Sequence, residues 1–301
     1  MIQKLSAVML VIIFGCISCT TIDTNHSSSF TAMTWNIWHG GKEDGETLGP
    51  ERVIEVIQES GADIIAMQET YGSGEFISES LGFHFHPRGT NVSIHSRYPI
   101  IEDVSVFHEF KCVGAIIELP NNIPIAFYSI WLPYGAEIWE VGTREGKTAD
   151  ELLAACDASR VDIEQIRDQI QKRLSETAFS NIPVFIAGDF NSMSHFDYIE
   201  GAKEEYGYVI DWPTSHEMTD KGFVDAYREV YRDVDRNRDR TWTPRFPEQQ
   251  QDRIDYIYYS DARFSVLDVE VIDQHPEQFP SDHGALVIRF NYPNYQRKMG
   301  R

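Results

Sequence analysis

The sequence predicts an α/β fold in which two packed sheets carry helices on their outer sides. Three observations point there. Apolar segments of strand length outnumber helix-like ones, and all follow one another in a single run. Neither an internal repeat nor a low-complexity block breaks that run. At 301 residues, 42% of them hydrophobic, the chain is too apolar for disorder and closes one large core or two small ones.

In chain order, residues 31–38 read as the first strand. Residues 50–60 read as a helix, with Pro50 suited to its first turn and Gly61 to its stop. Residues 63–68 form a short apolar strand ending on Glu69. Residues 92–96, 104–107, 113–119 and 123–132 read as further strands, and Asn121-Asn122 is a hairpin signal. Helical periodicity covers residues 150–177. Residues 184–187 are wholly apolar and open onto Gly188-Asp189. Residues 255–259, 266–272 and 285–290 supply the closing strands. Two segments, 133–148 and 192–251, look like insertions, and irregular stretches of that length often define a substrate.

The first residues read as a processing segment. Lys4 precedes an apolar run over residues 7–17, with Cys16, Ser18 and Cys19 at its end. A charged start and an apolar run of this length suit a signal peptide, and the run is short for a membrane span. A cysteine at the cleavage point resembles the bacterial lipoprotein signal. Cys19 is favoured over Cys16 because it leaves the longer apolar run; a plain secretory signal with incidental cysteines is the alternative. The division expected is a signal peptide over 1–19, a polar tether over 20–30, one domain over 31–293 and a tail over 294–301. The protein would then be exported, and lipid-anchored at the outer surface of a bacterial membrane or held in the periplasm. Cys112 and Cys156 are expected to be two separate buried thiols.

A net charge of -21 repels phosphate backbones at long range and suits a cation-binding protein. Polar residues interrupt or end five apolar strands: Asn36, Glu69, Asp189 with Asn191, Asp255, and Asp282 with His283. Any one of them alone is more often a turn or capping residue. An isolated buried carboxylate costs roughly several kcal/mol unless it is paired or metal-bound, so five such ends gathered in space would make a metal or catalytic site. Oxygen ligands without a Cys or His cluster favour magnesium, with manganese or calcium as alternatives, over zinc.

The segments Thr34-Trp35-Asn36-Ile37, Gln68-Glu69-Thr70, Gly188-Asp189-Phe190-Asn191, Arg253-Ile254-Asp255-Tyr256 and Ser281-Asp282-His283 together resemble the endonuclease/exonuclease/phosphatase superfamily. That group includes pancreatic-type deoxyribonucleases, abasic-site endonucleases, inositol polyphosphate 5-phosphatases and bacterial sphingomyelinases. The resemblance covers residues 31–290 in the family's order. It implies a four-layered α/β sandwich, two mainly antiparallel sheets flanked by helices, with the active site at one end. It further implies Glu69 as principal metal ligand with Asn36 beside it and Asp282 as a second ligand. Asp189 and Asn191 would orient or activate water, His283 would act on the phosphate, and Asp255 would hold the tautomer of His283.

Two departures stand out. Trp131 occupies a slot where the family usually has a His, and an indole cannot transfer a proton. His195 and Tyr134 are the candidates to reach in instead. Trp38 stands where relatives often carry a polar residue, and with His39 and Gly40 it either shapes a pocket floor or joins the core. Arg97 reads as structural. The arginines of residues 228–245, interleaved with aspartates, read as a self-paired face; the alternative is that Arg245, near Trp242, grips an anionic part of the substrate.

These observations favour a metal-dependent phosphoesterase acting on a small or lipid-linked phosphate ester. A nuclease is the alternative, disfavoured by the acidity, and an inactive binding relative is a third reading.

Overall fold

The computed structural model describes residues 28–234 and 239–292. The signal-peptide and tail readings lie outside the described residues, as do Cys16, Cys19 and all of the expected tether before Ser28. The chain opens with β1 (Ser28–Asn36), a helical turn α1 (Trp38–Gly41), α2 (Leu48–Ser60), β2 (Ile64–Gln68) and α3 (Gly74–Leu81). The hairpin of β3 (His84–Arg88) and β4 (Val92–Ser96) follows. It then crosses to a second sheet with β5 (Ile100–Asp103), β6 (Cys112–Leu119) and β7 (Ile123–Trp131). Helices α4 (Ala149–Ala155) and α5 (Asp157–Ser175) lead to β8 (Val184–Asp189). Next come α6 (Lys203–Tyr206), α7 (Pro213–Thr219), β9 (Val224–Asp225), α8 (Ala226–Val230) and β10 (Asp255–Tyr259). Finally β11 (Ser265–Ile272) and β12 (Ala285–Tyr292) return to the first sheet.

The two six-stranded sheets run β11-β12-β1-β2-β4-β3 and β5-β6-β7-β8-β10-β9. Each is mainly antiparallel with one parallel pair, β1 with β2 and β7 with β8. Three apolar clusters account for the layering. Between the sheets, Phe30, Phe127, Phe185, Ile257 and Phe290 interlock. Outside the first sheet, Val53, Ile57 and Ile77 of α2 and α3 pack on Met33, Trp35 and Met67. Outside the second, Ile163, Ile166 and Ile170 of α5 cover Ile116, Tyr128 and Ile186. Burying strands on both faces explains why they read as continuous apolar runs. The expected four-layered sandwich is the fold observed.

Local signals acted as expected at several points. Gly61 ends α2 in the left-handed region at φ 65°, and Asn121 and Asn122 turn the β6–β7 hairpin at φ 68° and 58°. Cys112 and Cys156 are separate buried thiols.

Other expectations need correction. The first strand begins at Ser28, inside the expected tether, and stops at Asn36, where Trp38 and His39 take positive φ. Residues 104–107 are not a strand. The Ser105 hydroxyl there takes the Gly114 N–H and donates to Asp103, and Phe107 turns at φ 59°. The helical stretch over 150–177 is two helices broken at Cys156, the first opened by a Thr148–Glu151 capping box. Nor is the segment 192–251 an irregular loop: β9 pairs with the edge of β10, and short helices flank it.

Candidate active site

All five of the polar strand ends meet at one end of the sandwich. Asn36 is their junction. Its Nδ2 donates to Glu69 Oε1 at 3.2 Å and to Asp189 Oδ2 at 3.2 Å, and lies 3.5 Å from His283 Nε2. Asp255, first residue of β10, accepts His283 Nδ1 at 2.9 Å. These residues, Asp255 excepted, line a cleft of about 160 Å³ together with Asp282, Asn191, His39 and five aromatic side chains. A larger apolar hollow of about 590 Å³ opens at the far end, under the β6–β7 hairpin, and no candidate site residue lines it.

The motif residues beside the chemical groups explain their placement. Trp35 donates its indole N–H to the His283 carbonyl at 2.8 Å, tying β1 to the turn before β12. The Ser281 hydroxyl donates to the Asn36 carbonyl and accepts the His283 N–H. Gln68 reaches across to Ser129, whose hydroxyl donates to the Met67 carbonyl, so a buried polar link joins the sheets just below the site. Arg253 is fully buried between Asp197 and Asp225 and pins the segment that starts β10. At Gly188, φ is 159° and a Cβ would stand 2.0 Å from the Ile130 carbonyl oxygen. Only glycine allows β7 and β8 to close there and set Asp189 at the cleft. Sequence reasoning missed Asn91, which accepts the Glu69 N–H, and Thr241, which accepts the Ile254 and Asp255 N–H groups. Isolated polar residues of this kind carry no pattern along the chain.

Electrostatics follow from burial and proximity. Burial pulls the His283 imidazole down, but Asp255 and then Asp189 outweigh it and hold the ring protonated well above its ordinary range. Burial pushes the Asp189 carboxyl up, against the pull of the His283 charge. For Asp282, burial raises the carboxyl to about 6, opposed by His283 and reinforced by Glu69. Desolvation also raises the Tyr134 phenol, which leaves it a hydrogen-bond donor at neutral pH.

The cleft fits a cation. Asp282 Oδ1 is buried without a hydrogen-bond partner, and the charge of Glu69 acts on the same carboxyl. Two carboxylates on one cleft, one of them with a free buried oxygen, suit a hard divalent ion. Asn36 is less suited to direct ligation than its sequence position implies. Its Nδ2 faces both carboxylates, and its Oδ1 already accepts the Trp38 N–H at 3.0 Å, which fixes the orientation of the amide. A second grouping, Asp189, Asp255 and His283, has ligand atoms all within 4.8 Å of one another. There the imidazolium itself supplies positive charge beside the two carboxylates.

The remaining candidates divide. Trp38, Trp131 and Trp242 line the cleft, as does Tyr134. The segment 133–148 contributes Glu137 and Trp139 as well, and Arg144 anchors it by bonds to Tyr198 and Asp252. His195 lies outside the cleft, with Nδ1 2.6 Å from the Ser215 hydroxyl and its ring stacked on His216. That corrects the expectation that it reaches in, and leaves Tyr134 in that position. Arg245 also lies outside. Asp44 and the Phe279 carbonyl take its guanidinium, which covers the Trp38 ring from behind at 5.3 Å. Asn191 spends its amide on Asp189 and the Leu132 carbonyl, so it holds Asp189 in place. Arg97 pairs with Asp63, as a structural residue would.

Comparison with known proteins agrees with this arrangement. A protein from Caenorhabditis elegans, F14F9.5, itself uncharacterized, is 26% identical over 94% of this chain and 98% of its own length. Three solved structures share the fold. An endonuclease/exonuclease/phosphatase family protein from Bacteroides thetaiotaomicron has a TM-score of 0.62 at 14% identity, over 89% of this chain and 100% of that one. Truncated C. elegans TDP2 has 0.58 at 16%, over 87% and 97%. An AP endonuclease from Archaeoglobus fulgidus has 0.57 at 18%, over 86% and 98%. The Endonuclease/Exonuclease/phosphatase family profile matches residues 33–283, a span that runs from β1 to His283 and takes in every strand end described above, so the chain belongs to that family of phosphate-ester hydrolases.

Proposed function

We propose that this protein is an exported, lipid-anchored phosphoesterase that uses a divalent cation, magnesium first, to hydrolyse a small or lipid-linked phosphate ester. The observation that carries the reading is the Asn36 bridge between Glu69 and Asp189, beside the His283–Asp255 pair. Glu69 and Asp282 would hold the cation. When bound, it neutralises a non-bridging phosphate oxygen and eases departure of the leaving alkoxide. Asp189, its carboxyl raised by burial, accepts a proton from the attacking water as the new phosphorus–oxygen bond forms. His283, charged and fixed by Asp255, stabilises the phosphate as negative charge builds. Tyr134, in the region left without its histidine, donates a hydrogen bond to the leaving oxygen.

The cleft favours a small ester over a nucleic acid. Among the described residues that line it there is no Lys or Arg, while Glu69, Glu137, Asp189 and Asp282 are present and aromatic faces make up the walls. A polyanion needs cationic contacts along its backbone, and the net charge of -21 opposes it further. Export and anchoring rest on the apolar run and Cys19. Among the described residues no helix is long and apolar enough to cross a membrane. The test is a magnesium-supplemented screen of phosphorylated sugars, inositol phosphates, phospholipids and plasmid DNA, with Glu69→Ala as control. Nicking of the plasmid without turnover of any small ester would replace this reading with a nuclease. No turnover at all would leave a binding protein. Mass spectrometry of the mature N-terminus tests lipidation.

A further inference from the structure

We infer that His39 is a ligand of the cation held by Glu69, which makes the site a mixed nitrogen–oxygen centre that prefers manganese or cobalt to magnesium. The inference rests on the hydrolase reading above and departs from it on the ion, placing manganese or cobalt ahead of magnesium.

The backbone around His39 is built onto Glu69. His39 takes a left-handed conformation at φ 50°, sparsely populated for a residue with a Cβ. In that conformation its N–H donates to Glu69 Oε2 at 3.0 Å, and the next N–H, of Gly40, donates to the Glu69 carbonyl at 2.6 Å. Glu69 is itself left-handed at φ 55°. Two uncommon conformations that meet on one carboxylate mark a place where backbone geometry serves a site.

The imidazole is oriented as a ligand. Glu43 Oε1 lies 2.7 Å from Nδ1, so in the neutral ring with its proton on Nδ1 the Nε2 lone pair is the one offered to a metal. Nε2 lies 4.0 Å from Glu69 Oε2, and both residues line the cleft. That separation is too long for a hydrogen bond. It suits two atoms bound to one ion, since ligands each about 2.1 Å from a metal stand about 3 to 4.2 Å apart. A carboxylate on the far nitrogen of a metal-bound His is the usual outer support of such a ligand. Asp282, with its unpartnered buried oxygen, offers a further donor on the same cleft. Imidazole nitrogen binds magnesium poorly and later first-row metals well, so adding His39 to a carboxylate pair shifts the preference.

The experiment is calorimetric titration of the metal-free full-length protein with Mg²⁺, Mn²⁺ and Co²⁺ separately, backed by the visible absorption of the Co²⁺ form. The variants are His39→Gly, which keeps the left-handed backbone, Glu43→Gln and Glu69→Ala, each checked by thermal melting. The expected wild-type result is Co²⁺ and Mn²⁺ bound at least about tenfold more tightly than Mg²⁺. His39→Gly should erase that preference and shift the Co²⁺ bands while changing Mg²⁺ affinity less than about twofold. Glu43→Gln should weaken Co²⁺ by about 10- to 100-fold. Unchanged Co²⁺ affinity in His39→Gly overturns the inference, as does an equal loss for all three ions, which would make His39 a scaffold for Glu69. Retention of all three ions by Glu69→Ala would instead overturn the underlying cation site, so the two failures are separable.

Discussion

Asp255 Oδ2 lies 2.9 Å from His283 Nδ1, and the two residues belong to different sheets, one opening β10 and the other just ahead of β12. The pair is therefore a product of sheet packing, held by the Trp35 and Ser281 bonds on one side and the Thr241 hydroxyl on the other.

Asp255→Asn keeps the shape and removes the charge that holds the imidazole protonated and in its tautomer. Turnover should fall by about 10²–10⁴-fold with KM little changed, since a positioned proton-handling group contributes about that much. Steady-state kinetics on a chromogenic phosphodiester with magnesium provide the measurement. A loss under tenfold would mean that another group orients His283.

Tyr134→Phe tests what fills the region of the absent histidine. An alkyl leaving group needs a donor, whereas nitrophenolate does not. The variant should lose about tenfold or more on an alkyl ester and keep its rate on the nitrophenyl ester. Equal losses on both would assign Tyr134 to binding alone.

Arg253→Met leaves Asp197 and Asp225 buried without their shared cation, although Arg228 still reaches Asp197. Breaking a buried pair from one side costs about 3–5 kcal/mol. The exposed Arg97–Asp63 pair is the contrast, and Arg97→Met should cost about 0–1 kcal/mol. Urea unfolding of both variants checks the difference, and equal costs would refute the role given to Arg253.

His95 supplies a pH signature remote from the cleft. Its ring lies between the Ser78 and Ser93 hydroxyls, and burial lowers it from 6.5 to about 3. Between those values the unfolded chain takes up a proton that the folded chain does not. The contribution is complete above 6.5 and declines as pH falls toward 3, by up to about 1.4 kcal/mol per pH unit. In His95→Gln, unfolding free energy measured from pH 7 to 4 should slope about one proton less steeply than in the parent. Parallel curves would show that His95 is charged in the folded state.

Much of the site was legible because a polar side chain at the end of an apolar strand is an exception that needs a partner. Asn36, Glu69, Asp189, Asp255 and His283 all stood out in that way, and they do converge. His195 misled because closeness to Asn191 along the chain says nothing about direction, and its ring turns to Ser215 and His216. Arg245 misled similarly, since Asp44, some two hundred residues earlier, neutralises it. The helix α3 and edge strand β3 escaped notice because each is short, and β3 is half exposed and polar, with weak periodicity.

The amino-acid sequence alone determined the sandwich and the identity of its reactive groups, since apolar runs must be buried on both faces and their polar ends must find company. The tertiary structure decided which company: the amide of Asn36 turned toward two carboxylates, Arg245 placed behind Trp38 instead of facing the cleft, and His39 beside Glu69. Those outcomes depend on separations of three or four ångströms between residues far apart in the chain, and such distances are set only when the two sheets close on one another.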